Sequence, residues 1–193
     1  MKKSFGSRSD RGMSVVNQSE RLVDFVDATT PDRSVFQKFE VPGPDLLPRL
    51  PACVRLDLEL LKCFEVVDRQ FQQAGVTFAN AIALRPSNPA YPSYSGTTVL
   101  MGSPKSGWVE ATFSSPVRFV SGLVTSSRRT VMAAFDANNR PLGQVVTDGA
   151  NLAGSDSRIA PNVELSLRAD EIHRVTFYAF DGHLTIGDFS FGG

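Results

Sequence analysis

The chain of 193 residues carries 20 basic and 20 acidic side chains, so no overall field draws it to nucleic acid or anionic lipid. That length suits one domain of ordinary size plus an extension, with ample material for a single hydrophobic core. No stretch approaches the roughly 20 apolar residues of a membrane span.

The basic start Met1-Lys2-Lys3 is not followed by the apolar run of roughly 7–15 residues that a secretory leader needs. The chain as given is therefore expected to be cytoplasmic, or secreted if a leader was removed. Residues 1–50 read as an N-terminal extension, partly disordered, rich in Ser, Gly and Arg at its start. Within it, Leu22, Val23, Phe25 and Val26 suit a short helix capped by Ser19, or a strand. Pro42, Pro44, Pro48 and Pro51 then forbid regular structure and predict an extended connector, with a domain boundary near Pro51.

Residues 51–193 alternate apolar and polar side chains in short runs separated by Gly, Pro and Asn. Val54-Arg55-Leu56-Asp57-Leu58-Glu59 alternates strictly and predicts a first strand. Leu60 to Gln73 is ambiguous, with Phe64, Val67, Asp68 and Phe71 at helical spacing and Gly75 as a C-terminal stop. Further strands are predicted over 76–84, 97–102, 107–113, 117–126, 130–136, 142–147, 162–168, 172–180 and 183–191. Asp136 to Pro141 reads as a hairpin connection, and Asp181-Gly182 as a type I′ turn. The fold class that follows is all-β: an antiparallel, two-sheet sandwich. Many of the 14 phenylalanines fall at alternating positions, which predicts a core of aromatic rings between the two sheets.

Cys53 and Cys63 are the only cysteines, and their spacing fits no zinc pattern even with His173 and His183. Reduced thiols are the expectation, although the sequence leaves a bond between them open. Neither histidine lies in a nucleophile motif, and no Gly-rich phosphate loop stands between a strand and a helix. A non-catalytic protein is expected.

The ordered set Gln70 to Asn80, Ser95-Gly96, Phe113 to Val117, Ala134 to Asn138 and Leu184 to Phe191 resembles one class of bacterial β-sandwiches. These are the jelly-roll, galactose-binding-like ectodomains of PEP-CTERM-type proteins, and the resemblance implies a jelly-roll-like arrangement of the two sheets. The chain departs from them in lacking a signal peptide and a sorting tail, and in placing Gly187 before Asp188. The resemblance implies a binding module, with carbohydrate as the ligand class. It also implies a structural calcium ion, for which Asp57, Glu59, Asn80 and Asp188 are the oxygen donors available at one end of the sandwich. The weightier reading is that Asp57 and Glu59 are solvent-facing positions of an alternating strand and Asp188 ends a turn, since no Asp-rich calcium loop exists.

Two long loops, Arg85 to Gly96 and Thr147 to Pro161, are where a rigid sandwich would carry its binding surface. Tyr91 and Tyr94 suit either stacking on a sugar or capping the sandwich edge, and Arg85, Asn88 and Asp181 suit contacts to hydroxyls. Trp108, inside a strand, is read as a core residue. The alternative function is a structural or assembly protein that docks on a protein partner through its N-terminal arm. No nucleic acid and no membrane span are expected.

Overall fold

The computed structural model describes residues 53–102 and 107–193, and the expected helix or strand near Leu22, the proline connector and the boundary near Pro51 lie outside them. The described residues form ten strands: β1 (Cys53–Arg55), β2 (Val66–Val67), β3 (Val76–Ala79), β4 (Ala81–Leu84), β5 (Val99–Gly102), β6 (Trp108–Ser126), β7 (Thr130–Phe135), β8 (Pro141–Val146), β9 (Val163–Ala179) and β10 (Leu184–Gly192). All pairings between them are antiparallel. The described residues are all-β, apart from two single-turn 3-10 helices at Leu58–Leu60 and Gln72–Ala74.

Hydrogen bonding runs as one continuous sheet in the order β2-β4-β5-β10-β6-β9-β7-β8, with β1 beside β10 and β3 beside β6. Two long strands convert that sheet into a sandwich. The first half of β6 pairs with β3, and its second half pairs with β10. β9 follows it along both halves, and the register shifts between Thr112 and Val117 and again before Phe119. Such bulges bend a strand and raise its twist. The sequence runs expected as separate strands, 107–113 with 117–126 and 162–168 with 172–180, are therefore each one strand that turns the corner.

The two layers meet through rings. Phe78 of β3 lies 5.3 Å from Phe189 of β10, Phe113 of β6 lies 5.0 Å from Phe191, and Phe177 of β9 lies 6.2 Å from Phe189. Edge and tilted contacts of this kind add to the burial of apolar area. Around them Val76, Val109, Leu100, Met132, Ile172 and Ile186 are fully buried. The phenylalanine-rich interior expected from the alternation is present.

Several local expectations change. The first strand stops at Arg55, because the Asp57 carboxylate accepts the Glu59 backbone N–H (3.1 Å) and caps a 3-10 turn instead. The run 76–84 breaks at Asn80, which adopts φ 61, so that β3 joins one layer and β4 the other. Gly75 (φ 94) does stop a helix, but a one-turn 3-10 helix. Asp136 to Pro141 is the expected β7–β8 hairpin, with Asn139 at φ 60. Asp181-Gly182 is not a type I′ hairpin: the positive φ (49) falls on Asp181, and β9 and β10, which do not pair, lie on either side of β6.

No helix among the described residues is long and apolar enough to cross a membrane. Both cysteines are free and exposed.

Candidate functional site

The loop after β4 builds one wall of a cleft of about 360 Å³ on the outer face of the β4–β5–β10 layer. Leu84, Met101 and Thr185 form part of its lining, Met101 and Thr185 being register partners on adjacent strands. Arg85, Asn88 and Tyr91 come from the loop, His183 from the position just before β10, and Phe64 from the turn before β2. Three of the five residues expected at a binding site, Arg85, Asn88 and Tyr91, are thus brought together. Tyr94 is 67% exposed and stands beside Gly187, away from this cleft, and Asp181 occupies the β9–β10 turn.

The loop is pinned at several points. The Asn88 side-chain oxygen accepts the Ala90 N–H (3.0 Å) and its carbonyl accepts the Tyr91 N–H (3.0 Å). The Ala90 carbonyl accepts from Ala153 (3.0 Å), and Asn162 Nδ2 donates to the Pro92 carbonyl (2.9 Å). Those last two contacts make the second long loop a brace for the first. Its own anchor is Asn151, fully buried, which accepts the Ser126 N–H (2.7 Å) and donates to the Val124 and Ala160 carbonyls (2.7 and 3.0 Å). A loop tied in this way presents Arg85 and Tyr91 with little ordering left to lose on binding.

Phe64 is the residue that sequence reasoning missed. Its sequence spacing suits a helix, yet it is 81% exposed and sits at φ 67, a conformation unfavourable for a bulky side chain. The surrounding turn holds it there. Its N–H donates to the Ala83 carbonyl (2.7 Å), and Glu65 accepts the Lys62 N–H (2.8 Å) and the Gln70 side-chain amide (2.8 Å). The Gln70 hydrogen bond, helped by the Lys62 N–H, holds the Glu65 carboxyl below its ordinary value. No sequence signal marks Phe64, because a positive φ at phenylalanine follows from tertiary bonds only.

The four residues expected to hold calcium divide between two places. Asp57, Glu59 and Asp188 line a separate hollow of about 350 Å³, together with Arg55 and Gly96. Asn80 sits at the β3–β4 corner and donates to the Trp108 carbonyl (2.7 Å). The carboxylates in the hollow already have partners. Arg55 Nε donates to Asp188 (3.0 Å) while its guanidinium also reaches Ser95 (2.9 Å). Glu59 accepts from the Thr97 N–H (2.7 Å), the Thr97 hydroxyl (2.9 Å) and the Thr98 N–H (2.7 Å), and these bonds lower its pKa to about 2. Among the described residues no three His, Cys, Asp or Glu side chains gather as a metal would need.

Trp108 is not a core residue. The buried phase of β6 is Val109, Ala111 and Phe113, so Trp108 and Glu110 point outward and line a third hollow, about 450 Å³, with Val131, Thr176 and Tyr178. Arg174 neutralises Glu110 at its margin (2.8 Å) and stacks on the Phe135 ring, 4.1 Å from its centroid.

No protein-family model and no curated protein sequence matches the chain, so neither shows the resemblance to PEP-CTERM-type ectodomains. Solved structures that resemble it include a DUF4465 family protein from Bacteroides caccae, 7% identical over 79% of this chain and 98% of that one, TM-score 0.42. Another is the carbohydrate binding module CBM29-2, 13% identical over 61% of this chain and 91% of that one, TM-score 0.34. A family 89 glycoside hydrolase from Clostridium perfringens is 12% identical over 61% of this chain, TM-score 0.39, and the matched part spans only 14% of the hydrolase. None of these likenesses bears on which surface binds, or what it binds.

Proposed function

We propose that the protein is a non-catalytic carbohydrate-binding module whose site is the cleft of Phe64, Tyr91, Arg85 and Asn88. The observation that carries this reading is Phe64, an aromatic ring held open to solvent at an unfavourable φ beside a braced loop that brings Tyr91. Backbone strain of this kind, worth about 1–3 kcal/mol, tends to persist where function requires it. Sugars offer apolar C–H faces to such rings and hydroxyls to the polar groups around them, and the cleft supplies both kinds of partner. The calcium expected by resemblance is no part of this site.

Retention on a glycan array carrying neutral and acidic sugars tests the proposal, with the full chain and its Phe64→Ala and Tyr91→Ala variants. Binding by the full chain that both variants lose, at unchanged melting temperature, supports it. Absence of retention on any glycan by the full chain rejects it.

A second reading, docking on a protein, is favoured by Leu60, Phe64 and Val66, which are 76%, 81% and 66% exposed within one short stretch. The arm through which docking was expected lies outside the described residues.

A further inference from the structure

Resting on the carbohydrate-binding reading of the same cleft, we infer that its ligand is an acidic sugar, bound by its carboxylate to Arg85. The inference starts from charge. The cleft is lined by Arg85 and His183 and by no aspartate or glutamate. The other two hollows described above contain carboxylates that already meet an arginine: Asp188 with Arg55 in one, Glu110 with Arg174 in the other. Arg85 makes no ion pair or hydrogen bond with any described residue.

One further polar group of the cleft is turned to donate. Asn88 has committed its side-chain oxygen to the Ala90 N–H, which leaves its NH₂ as the free end. The His183 backbone is fixed on both sides by Ser127: its N–H donates to the Ser127 hydroxyl (2.9 Å) and its carbonyl accepts the Ser127 N–H (2.9 Å). A planar guanidinium matches a carboxylate with two parallel hydrogen bonds, a geometry that a hydroxyl does not use. Phe64 and Tyr91 then take the apolar face of the same sugar ring. Arg85 is the specificity residue in this arrangement, and the aromatic rings are the general sugar contacts.

The test is affinity electrophoresis of the full chain in gels containing polygalacturonate, its methyl ester, or dextran sulfate. The methyl ester presents the same sugar with its charge removed. Retardation by polygalacturonate at least ~tenfold stronger than by the ester, falling with added salt and lost in Arg85→Gln, is the expected result. Arg85→Lys, which keeps the charge and loses the fork, is expected to recover only part of it. Equal retardation by acid and ester would overturn the inference while leaving carbohydrate binding in place. Stronger retardation by dextran sulfate would overturn the carboxylate assignment, as would full binding by Arg85→Gln. No retardation by any of the three polymers would overturn it as well, and the array then decides whether the underlying reading fails too.

Discussion

The ring of Phe177 lies directly over Gly122, so that a Cβ built on Gly122 would stand 3.1 Å from Cζ and 3.2 Å from Cε1 of that ring. Phe177 belongs to the part of β9 that pairs with β7, and Gly122 to the half of β6 that pairs with β10. The distance between the layers at this point is therefore set by the absence of a side chain. Gly122→Ala also meets Ile186 Cγ2 at 3.3 Å, so two side chains must give way together. A loss of about 1–3 kcal/mol is expected in urea unfolding, and Gly122→Val should lose more. A neutral Gly122→Ala would mean that the layers can move apart freely.

Phe64→Gly removes the strained φ and an exposed ring at once. Its unfolding free energy is expected to stay level or rise by about 1 kcal/mol, since glycine adopts positive φ at no steric cost. Glycan retention should be lost in the same protein. A clear fall in stability would show that the ring supports the fold instead.

Glu59 gives a pH signature. Its folded pKa of about 2 lies below the ordinary value of 4.5, so its contribution is complete above about pH 4.5 and disappears as pH falls toward 2. Melting temperatures of the full chain and of Glu59→Gln should differ at pH 6 and converge between pH 4.5 and 2. A constant gap across that range would assign the effect to something other than the carboxylate.

Calcium at the Arg55 hollow would have to displace an arginine from Asp188 and backbone donors from Glu59. Melting curves in calcium and in chelator are therefore expected to superimpose. A rise of several degrees with calcium would show that the ion competes successfully with Arg55.

Asn151→Ala leaves the Ser126 N–H without its acceptor in a buried place, and frees the Val124 and Ala160 carbonyls of their donor. A destabilisation of about 2–4 kcal/mol is expected. Because the loop around Asn151 braces the cleft loop through Ala153, retention of glycan should weaken as well. Unchanged stability would place the bracing elsewhere.

Alternation made the layers legible. Val109, Ala111 and Phe113 announce one buried face, and the same alternation puts Trp108 on the opposite, outward phase, which its place inside a strand does not by itself reveal. The corner in β6 was legible only as a gap between two strands, because Ser114-Ser115-Pro116 looks like a turn when the bulge geometry is unseen. The cleft was half legible. Arg85, Asn88 and Tyr91 lie together in a Pro-rich loop, whereas Phe64 and His183 reach it only through folding. Asn151 reads as a loop residue by composition, and its burial depends on carbonyls from β6 and from the end of its own loop.

That β6 and β9 run through both layers has a consequence for how the protein comes apart. Neither layer owns a complete set of strands, so no loop can be cut to leave a self-sufficient half. Unfolding should be all-or-none for residues 53–193, and assembly must wait for contacts between distant parts of the chain, which makes a slow folder. A split version that still reassembles would need its break outside 108–126 and 163–179, so that both spans stay whole.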